Sequence, residues 1–347
     1  PPPGPGRGGK YRMVPHAMAA LHRLRAAYDV LVVRGTRVLG LPGLAAARAA
    51  GKGVVLQPEV NGEMSGEVYT WGQPFAGTPL EGAVRAGTAA RNLLLRDADA
   101  FVAMSSLIRA ECLAAGVPPE KVALIRHGVD TRRFHPATLG ERRAARASLA
   151  LPDEAFVVVF TGRLLRGKGL EDLLAAFARL VPEVPQAHLL IVGAGRGQSL
   201  SVEEPLRAGV AAAGIERQVT FTGRLDDVGG ALAAADVFAF PSVFEALGIS
   251  LIEAAASGLP AVGARTGGIV DVIEDGASGY LFPPGDVAEL AQRLRLLAAG
   301  TGTRAQMGRR AREVALLRFD EVASVVRYRA LLCEVAGRSR SAQSAVR

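Results

Sequence analysis

The sequence predicts an α/β protein made of two Rossmann-like domains in tandem. Three observations carry that expectation. Helical and β-branched segments alternate along most of the chain, the alternation restarts after a charged connector near residue 140, and 347 residues suit two domains. With 49% hydrophobic and 21% charged residues the chain has ample material for a packed core.

Taken in order, residues 1–10 form a Pro/Gly segment with no core-forming side chains and are expected to be disordered. The first domain, residues 11–137, opens with the helical text MAALHRLRAA. Four strands follow, Asp29 to Val33, Gly53 to Gln57, Ala100 to Met104 and Val122 to Ile125, separated by helical patterns. Strand alternating with helix is the mark of a parallel sheet covered on both faces. Residues 58–82 break the rhythm and read as a long polar-aromatic loop at a strand's carboxyl end, where open α/β sheets hold ligands. GERRAARASLALPDEA reads as a linker with a short helix. The second domain, residues 138–318, starts its sheet with FVVVFTG (Phe156 to Gly162) and continues through HLLIVGAG (His188 to Gly195), VTFTG, DVFAFPS and AVGA. Its first helix sets Leu170, Leu173, Leu174, Phe177 and Leu180 on one face, and DVAELAQRLRLLAAG is a late amphipathic helix. Residues 319–335 are expected to be a helix returning to the first domain and wedged between the two, and 336–347 a tail.

Composition narrows the function. Cys112 and Cys333 lie far apart in helical surroundings and read as two reduced, buried thiols, and five scattered His form no metal cluster. No apolar run approaches the ~18 residues that span a bilayer. PPPGPGRGGK lacks the apolar core of a signal peptide, so a cytoplasmic protein is expected. The net charge of +8 is uneven: residues 1–137 carry 17 Lys/Arg against 10 Asp/Glu (+7), the remainder 24 against 23 (+1). The basic half is open to three readings: a solvated surface, peripheral contact with a membrane, or an anionic acceptor. Few aromatics are present for base stacking, so nucleic acid is not expected.

Two segments carry chemistry. In FEALGISLIE, Glu245 and Glu253 bracket Gly248 and the start of an apolar helical run, so unpaired N–H groups of a helix start lie between two carboxylates. Such a start suits a diphosphate, Glu253 suits vicinal hydroxyls, and Glu245 suits a second polyol. In GRLLRGKG, Gly162 to Gly169, Arg163 and Lys168 lie between a strand and a helix as a phosphate clamp by composition. Lys168 is followed by Gly169, so this is not a Walker loop; GAGRGQS has Gln198 where GxGxxG needs its third glycine. Read singly, each segment also fits a solvated surface; both falling at strand ends of one domain favours a site.

From Phe156 to about Arg318 the ordered segments TGRLLRGKG, HLLIVGAG, VTFTGRL, DVFAFPSVFEALGISLIEAAASGLPAVG and GGIVDVIEDGASGYLFPPGD resemble the nucleotide-sugar domain of retaining GT-B glycosyltransferases of the family 4 type. The resemblance implies that Gly162, Arg163 and Lys168 meet the donor diphosphate, with backbone at Gly248 and Ile249. It further implies that Glu253 takes ribose, that Glu245 takes the transferred sugar, and that the base lies near Gly223, Arg224 and Leu225. Glu245, Arg163 and Lys168 are then the catalytic candidates. MSSLIRAECLAAGVPPEKVALIRHGVDTRRF is similar to the family's crossover, with His127 where Asn is usual, and YDVLVVRG matches a middle strand of the acceptor domain. That domain is therefore expected to lack its initial strands. VLQPE ends where many relatives carry His, which leaves Glu59, Asn61 and Glu63 as acceptor-side candidates. The implied activity is metal-independent transfer of a hexose-like sugar from a UDP- or GDP-linked donor to an acceptor glycan, lipid or small molecule, with no cofactor. Asp226-Asp227 lacks Asp-x-Asp spacing and reads as a helix start. A non-catalytic nucleotide-sugar binder, or an epimerase or phosphorylase on the same scaffold, stays open.

Overall fold

The computed structural model describes residues 9–70, 77–198 and 200–346. It divides into two compact units, one taking residues up to Arg126 together with those from Ser324 on, the other His127–Ala323.

In the first unit the order is α1 (Gly9–Arg23), β1 (Val30–Arg34), α2 (Thr36–Ala49), β2 (Gly53–Gln57), α3 (Glu67–Thr70), α4 (Pro79–Leu95), β3 (Ala100–Ala103), α5 (Ser106–Ala114) and β4 (Val122–Leu124). The strands form one parallel sheet in the order β1-β2-β3-β4, with Leu56 opposite both Val33 and Phe101. Every residue of β2 is buried, as expected of an inner parallel strand covered on both faces.

The second unit contains α6 (Leu139–Ser148), β5 (Phe156–Thr161), α7 (Leu170–Leu180), β6 (Ala187–Val192), α8 (Glu203–Ala213), β7 (Val219–Gly223), α9 (Gly229–Ala234), β8 (Val237–Phe240), α10 (Ile249–Ala256), β9 (Ala261–Ala264), α11 (Ile269–Val272), β10 (Gly279–Phe282), α12 (Val287–Ala299) and α13 (Thr301–Arg318). Its parallel sheet runs β10-β9-β8-β5-β6-β7. β8 and β5 are its middle pair, and β5 and β6, each six residues long, are wholly buried. The last helix, α14 (Glu321–Val346), sends Val335 into the first unit's core beside Val55, Ala100 and Val102, and Tyr328 Oη donates to Gln57 Oε1 at 2.8 Å.

Four expectations need correction. Gly9 and Lys10 begin α1; residues 1–8 lie outside the described residues. The stretch 58–82 is not one loop: it contains α3 and the start of α4, which Pro79 opens at a position that needs no N–H. Residues 71–76 of it are outside the described residues. The expected tail from 336 continues α14 to Val346, because its Arg, Ala, Ser and Gln residues sustain a helix already nucleated. Cys333 is exposed, whereas Cys112 is buried and burial pushes its thiol up to about 12.

α6 is more than a linker. A capping box between Thr138 and Glu141 starts it, and it delivers Arg142 and Arg146 to Asp236, at 2.8 and 2.9 Å. Asp236 Oδ2 also accepts from Val157 N at 2.8 Å, so one carboxylate ties α6 and β5 at the entry to β8. The Arg146 side chain is only 2% exposed. Removing one partner of a buried ion pair leaves the other charge desolvated and unmatched. Asp236→Ala is therefore expected to cost about 3–5 kcal/mol in urea unfolding; a loss within about 0.5 kcal/mol, typical of surface sites, would contradict this account.

Candidate functional site

Strand order in the second sheet reverses at β5 and β8, neighbours that pair Val158 with Val237 and Val159 with Phe238. Open parallel sheets hold ligands outside the carboxyl ends of the strands at such a switch point. Both chemical segments leave from there: residues 162–169 follow β5, and 241–248 follow β8.

Backbone contacts pin the two loops together. Val243 N donates to Gly167 O at 3.0 Å. Gly169 has φ 67°, and a Cβ there would lie 2.1 Å from Pro241 O, so neither the conformation nor the space admits a side chain. On the other side the loop after β6 is bonded to the loop after β5: Leu164 N to Ala194 O at 3.2 Å continues the parallel register, and Val202 N to Leu164 O at 3.0 Å with Arg166 N to Leu200 O at 2.8 Å forms an antiparallel bridge of Leu165 with Ser201. Gly193 belongs to this packing, since a Cβ on it would lie 1.8 Å from Gly162 O. Glu203 supports the loop after β6, accepting from Gly195 N at 2.9 Å and Arg196 N at 3.1 Å, and these donors draw its pKa down. Gly193 and Gly195 of GAGRG thus seat one loop against another, a role the comparison with GxGxxG does not reveal.

The side chains stand as follows. Lys168 Nζ lies 2.7 Å from Glu245 Oε2, with 22% and 17% of their side chains exposed, and 5.8 Å from the centre of the Phe240 ring. Arg163 is exposed on the same loop. Gly248 precedes α10, Ile249 is 51% exposed at its first position, and Glu253 is half-buried one turn further on. Burial pushes the Glu253 carboxyl above its ordinary range; Arg133 opposes this and Asp227 adds to it. Arg133 in turn meets Asp227 at 3.0 Å. Sequence reasoning missed this pair, although Arg133 lies inside the crossover segment, because nothing local announces a partner 94 positions away. Asp227 Oδ1 also accepts from Gly229 N at 2.9 Å, at the start of α9. Gly223 ends β7 and its carbonyl accepts from Gly193 N at 2.9 Å; Arg224 is exposed, and Leu225 packs on the core.

In the first unit the three acceptor-side candidates separate. Glu59 is partly exposed and paired with Arg34 at 2.8 Å. Asn61 is buried. Glu63 is completely buried, and its carboxylate accepts from the backbone N–H groups of Thr36, Arg37, Glu59 and Val60 and from Thr36 Oγ1. It fills the start of α2 with an internal anion and closes the 59–63 turn, so it has no surface to offer an acceptor.

Cations, carboxylates and a helix start at the switch point of a parallel sheet are the features with which α/β folds can hold phosphorylated ligands. The model for "Glycosyl transferases group 1" matches residues 141–314, half of the chain, and that for "Glycosyltransferase Family 4" matches residues 1–133. The chain belongs to this glycosyltransferase family and has its GT-B fold. It is 34% identical over 226 residues to the sulfoquinovosyl transferase SQD2 of Arabidopsis thaliana, covering 63% of this chain and 42% of that one. It is 35% identical over 199 residues to the D-inositol 3-phosphate glycosyltransferase of Streptomyces bingchenggensis, covering 56% and 43%. The chain thus spans about two fifths of the length of these curated relatives. The crystal structure of Anabaena HepE in complex with UDP resembles it with a TM-score of 0.76, 24% identity and coverage of 93% and 82%, a likeness of fold.

Glu63→Ala leaves four backbone donors without their shared acceptor in the interior of the first unit. It is expected to destabilise that unit by about 3 kcal/mol or more, seen as earlier hydrogen exchange in α2 and the 59–63 turn. Unchanged protection there would show that the carboxylate is dispensable.

Proposed function

We propose that the chain is a glycosyltransferase that moves a hexose-like sugar from a UDP- or GDP-linked donor to a hydroxyl of an acceptor glycan, lipid or small molecule, with retention at the anomeric carbon. The observation that carries the reading is the convergence of 162–169 and 241–253 at one switch point, in a chain of this family. The complex of HepE with UDP and the glycosyl-transferring relatives support it.

The donor diphosphate meets Arg163, Lys168 and the backbone at Gly248 and Ile249, the ribose meets Glu253, the sugar meets Glu245, and the base lies along Gly223 to Leu225. In the reaction the bond from the anomeric carbon to the diphosphate oxygen breaks and one to the acceptor oxygen forms, while the acceptor's proton passes to the departing diphosphate. Negative charge grows on that diphosphate, and fixed cations and helix N–H groups stabilise it without reorganising. This arrangement asks for no metal and no cofactor. Glu59 and Asn61 stay the acceptor-side candidates, and the enzyme works in the cytoplasm. The basic excess of the first 137 residues suits an anionic acceptor or the inner face of a membrane.

Incubation with UDP-, GDP- and ADP-sugars and hydroxyl acceptors, followed by mass spectrometry and NMR of the product anomer, tests the activity. A retained anomer is expected; an epimerised donor, or hydrolysis alone, would overturn the reading. Lys168→Ala and Arg163→Ala should each weaken binding of UDP or GDP by about 1.5–3 kcal/mol in calorimetry while leaving the free nucleoside unaffected. Equal affinity for the diphosphate in both variants and wild type would contradict the phosphate assignment.

A pH dependence follows from Glu253. Its carboxyl must be ionised to accept two ribose hydroxyls, and burial holds its pKa above the ordinary 4.5. As pH falls through that raised value the carboxylate is lost, so nucleotide affinity should decline at a pH higher than for an ordinary glutamate. Glu253→Gln should bind more weakly and show no such decline. A decline of the same midpoint in Glu253→Gln would assign the titration to another group.

A further inference from the structure

The donor reading leaves one contact unexplained. Lys168, offered to the diphosphate, and Glu245, offered to the sugar, are bonded to each other at 2.7 Å. Both loops are fixed by backbone at the relevant residues: Lys168 N donates to Leu165 O at 3.1 Å, Gly169 abuts Pro241 O, and Gly268 N donates to Glu245 O at 3.1 Å. The pair follows from the placement of two pinned loops, not from a chance meeting of flexible surface chains. With about a fifth of each side chain exposed, the charges attract more strongly than in bulk water.

We infer that Glu245 is an internal competitor for Lys168, so that the site selects ligands whose phosphate charge is high enough to draw the ammonium away. This rests on the donor reading above and deepens it by adding a selection step. A carboxylate carries one negative charge and is already in contact. A nucleoside diphosphate brings two to three, and it meets Arg163 and the start of α10 together with Lys168, so it prevails where a neutral or weakly charged ligand does not. The exchange has a second effect. Once Lys168 turns to phosphate, Glu245 Oε2 gives up that cation and becomes an acceptor for a sugar hydroxyl. Recognition of the sugar is thereby made conditional on the diphosphate, and a free hexose, which cannot move Lys168, finds Glu245 engaged. Glu245 is in this sense a specificity-determining residue before it is a sugar contact.

The sign of the prediction is unusual for a binding-site carboxylate: its removal should tighten a ligand. UDP and GDP, with uridine and guanosine as controls, are titrated into the full chain carrying Glu245→Gln, Lys168→Ala or both. Glu245→Gln is expected to bind the diphosphate about threefold to tenfold more tightly than wild type and the nucleoside equally. Lys168→Ala should bind the diphosphate more weakly, and in that background Glu245→Gln should bring no further gain. Glu245→Asp, which keeps the charge but withdraws it by one methylene, should fall between wild type and Gln and covers the case in which the Gln variant folds poorly. If Lys168→Ala weakens binding and Glu245→Gln does not strengthen it, the competition is refuted and the donor reading stands. An equal gain in the Lys168→Ala background would reduce the effect to plain charge repulsion and also overturn the inference. If Lys168→Ala binds the diphosphate as wild type does, or wild type binds neither UDP nor GDP, the donor reading itself fails and the inference with it.

Discussion

The candidate site depends on one constraint: the loops leaving β5 and β8 are locked backbone to backbone. Strand adjacency alone brings the two loop bases within one strand spacing, roughly 4.8 Å. It does not fix where Lys168 and Glu245, seven and five positions beyond the strand ends, will lie. The hydrogen bond from Val243 N to Gly167 O and the contact of Gly169 with the Pro241 carbonyl do that. Without them Lys168 and Glu245 would sit on independent loops, and a 2.7 Å separation would carry no information. With them, the backbone that carries both side chains is positioned in folding.

The same economy explains the loop after β6. Its hydrogen bonds with 164–166 and the support from Glu203 show that the segment carrying the cations is effectively the middle one of three, braced by Ala194 and residues 200–202 on one side and 241–243 on the other. A loop braced on both sides can hold exposed Arg163 in one place, where a free glycine-rich loop would sample many conformations. Asp236 performs a comparable service at the other end of β8, where Arg142 and Arg146 fix the strand's entry. β8 is therefore held at both ends, in keeping with its place beside the switch point.

Much of this was legible in the sequence, and the physics says which part. Strands such as FVVVF and HLLIV announce themselves because an inner parallel strand must be apolar on both faces, and the clamp and carboxylate segments stand out because charged residues follow these runs at strand ends. What escaped notice is set by tertiary partners. Glu63 looked like a loop carboxylate facing an acceptor until its five donors located it in the interior. Arg142 and Arg146 looked like connector charges, since the spacing of two Arg four apart is the same whether a partly buried Asp or water receives them. The continuation of α14 past residue 336 was obscured for the opposite reason: polar composition marks a solvated surface, and a solvated helix has no periodic apolar stripe to betray it.

The two units also show one chemical device put to two uses. A helix start beside the carboxyl end of a parallel strand presents N–H groups and a positive dipole, and some anion will occupy it. At α2 the protein supplies that anion itself, and Glu63 is so enclosed that its exchange would mean opening the turn that holds it. At α10 the nearest loop carboxylate, Glu245, is directed at Lys168. The second carboxylate, Glu253, lies within the helix, half-buried and within the electrostatic reach of Arg133 and Asp227. Neither is inserted as a permanent cap in the manner of Glu63. The two carboxylates thus differ in the neighbours they are given: Glu63 is held by four backbone donors in the interior, whereas Glu245 reaches a part-exposed lysine.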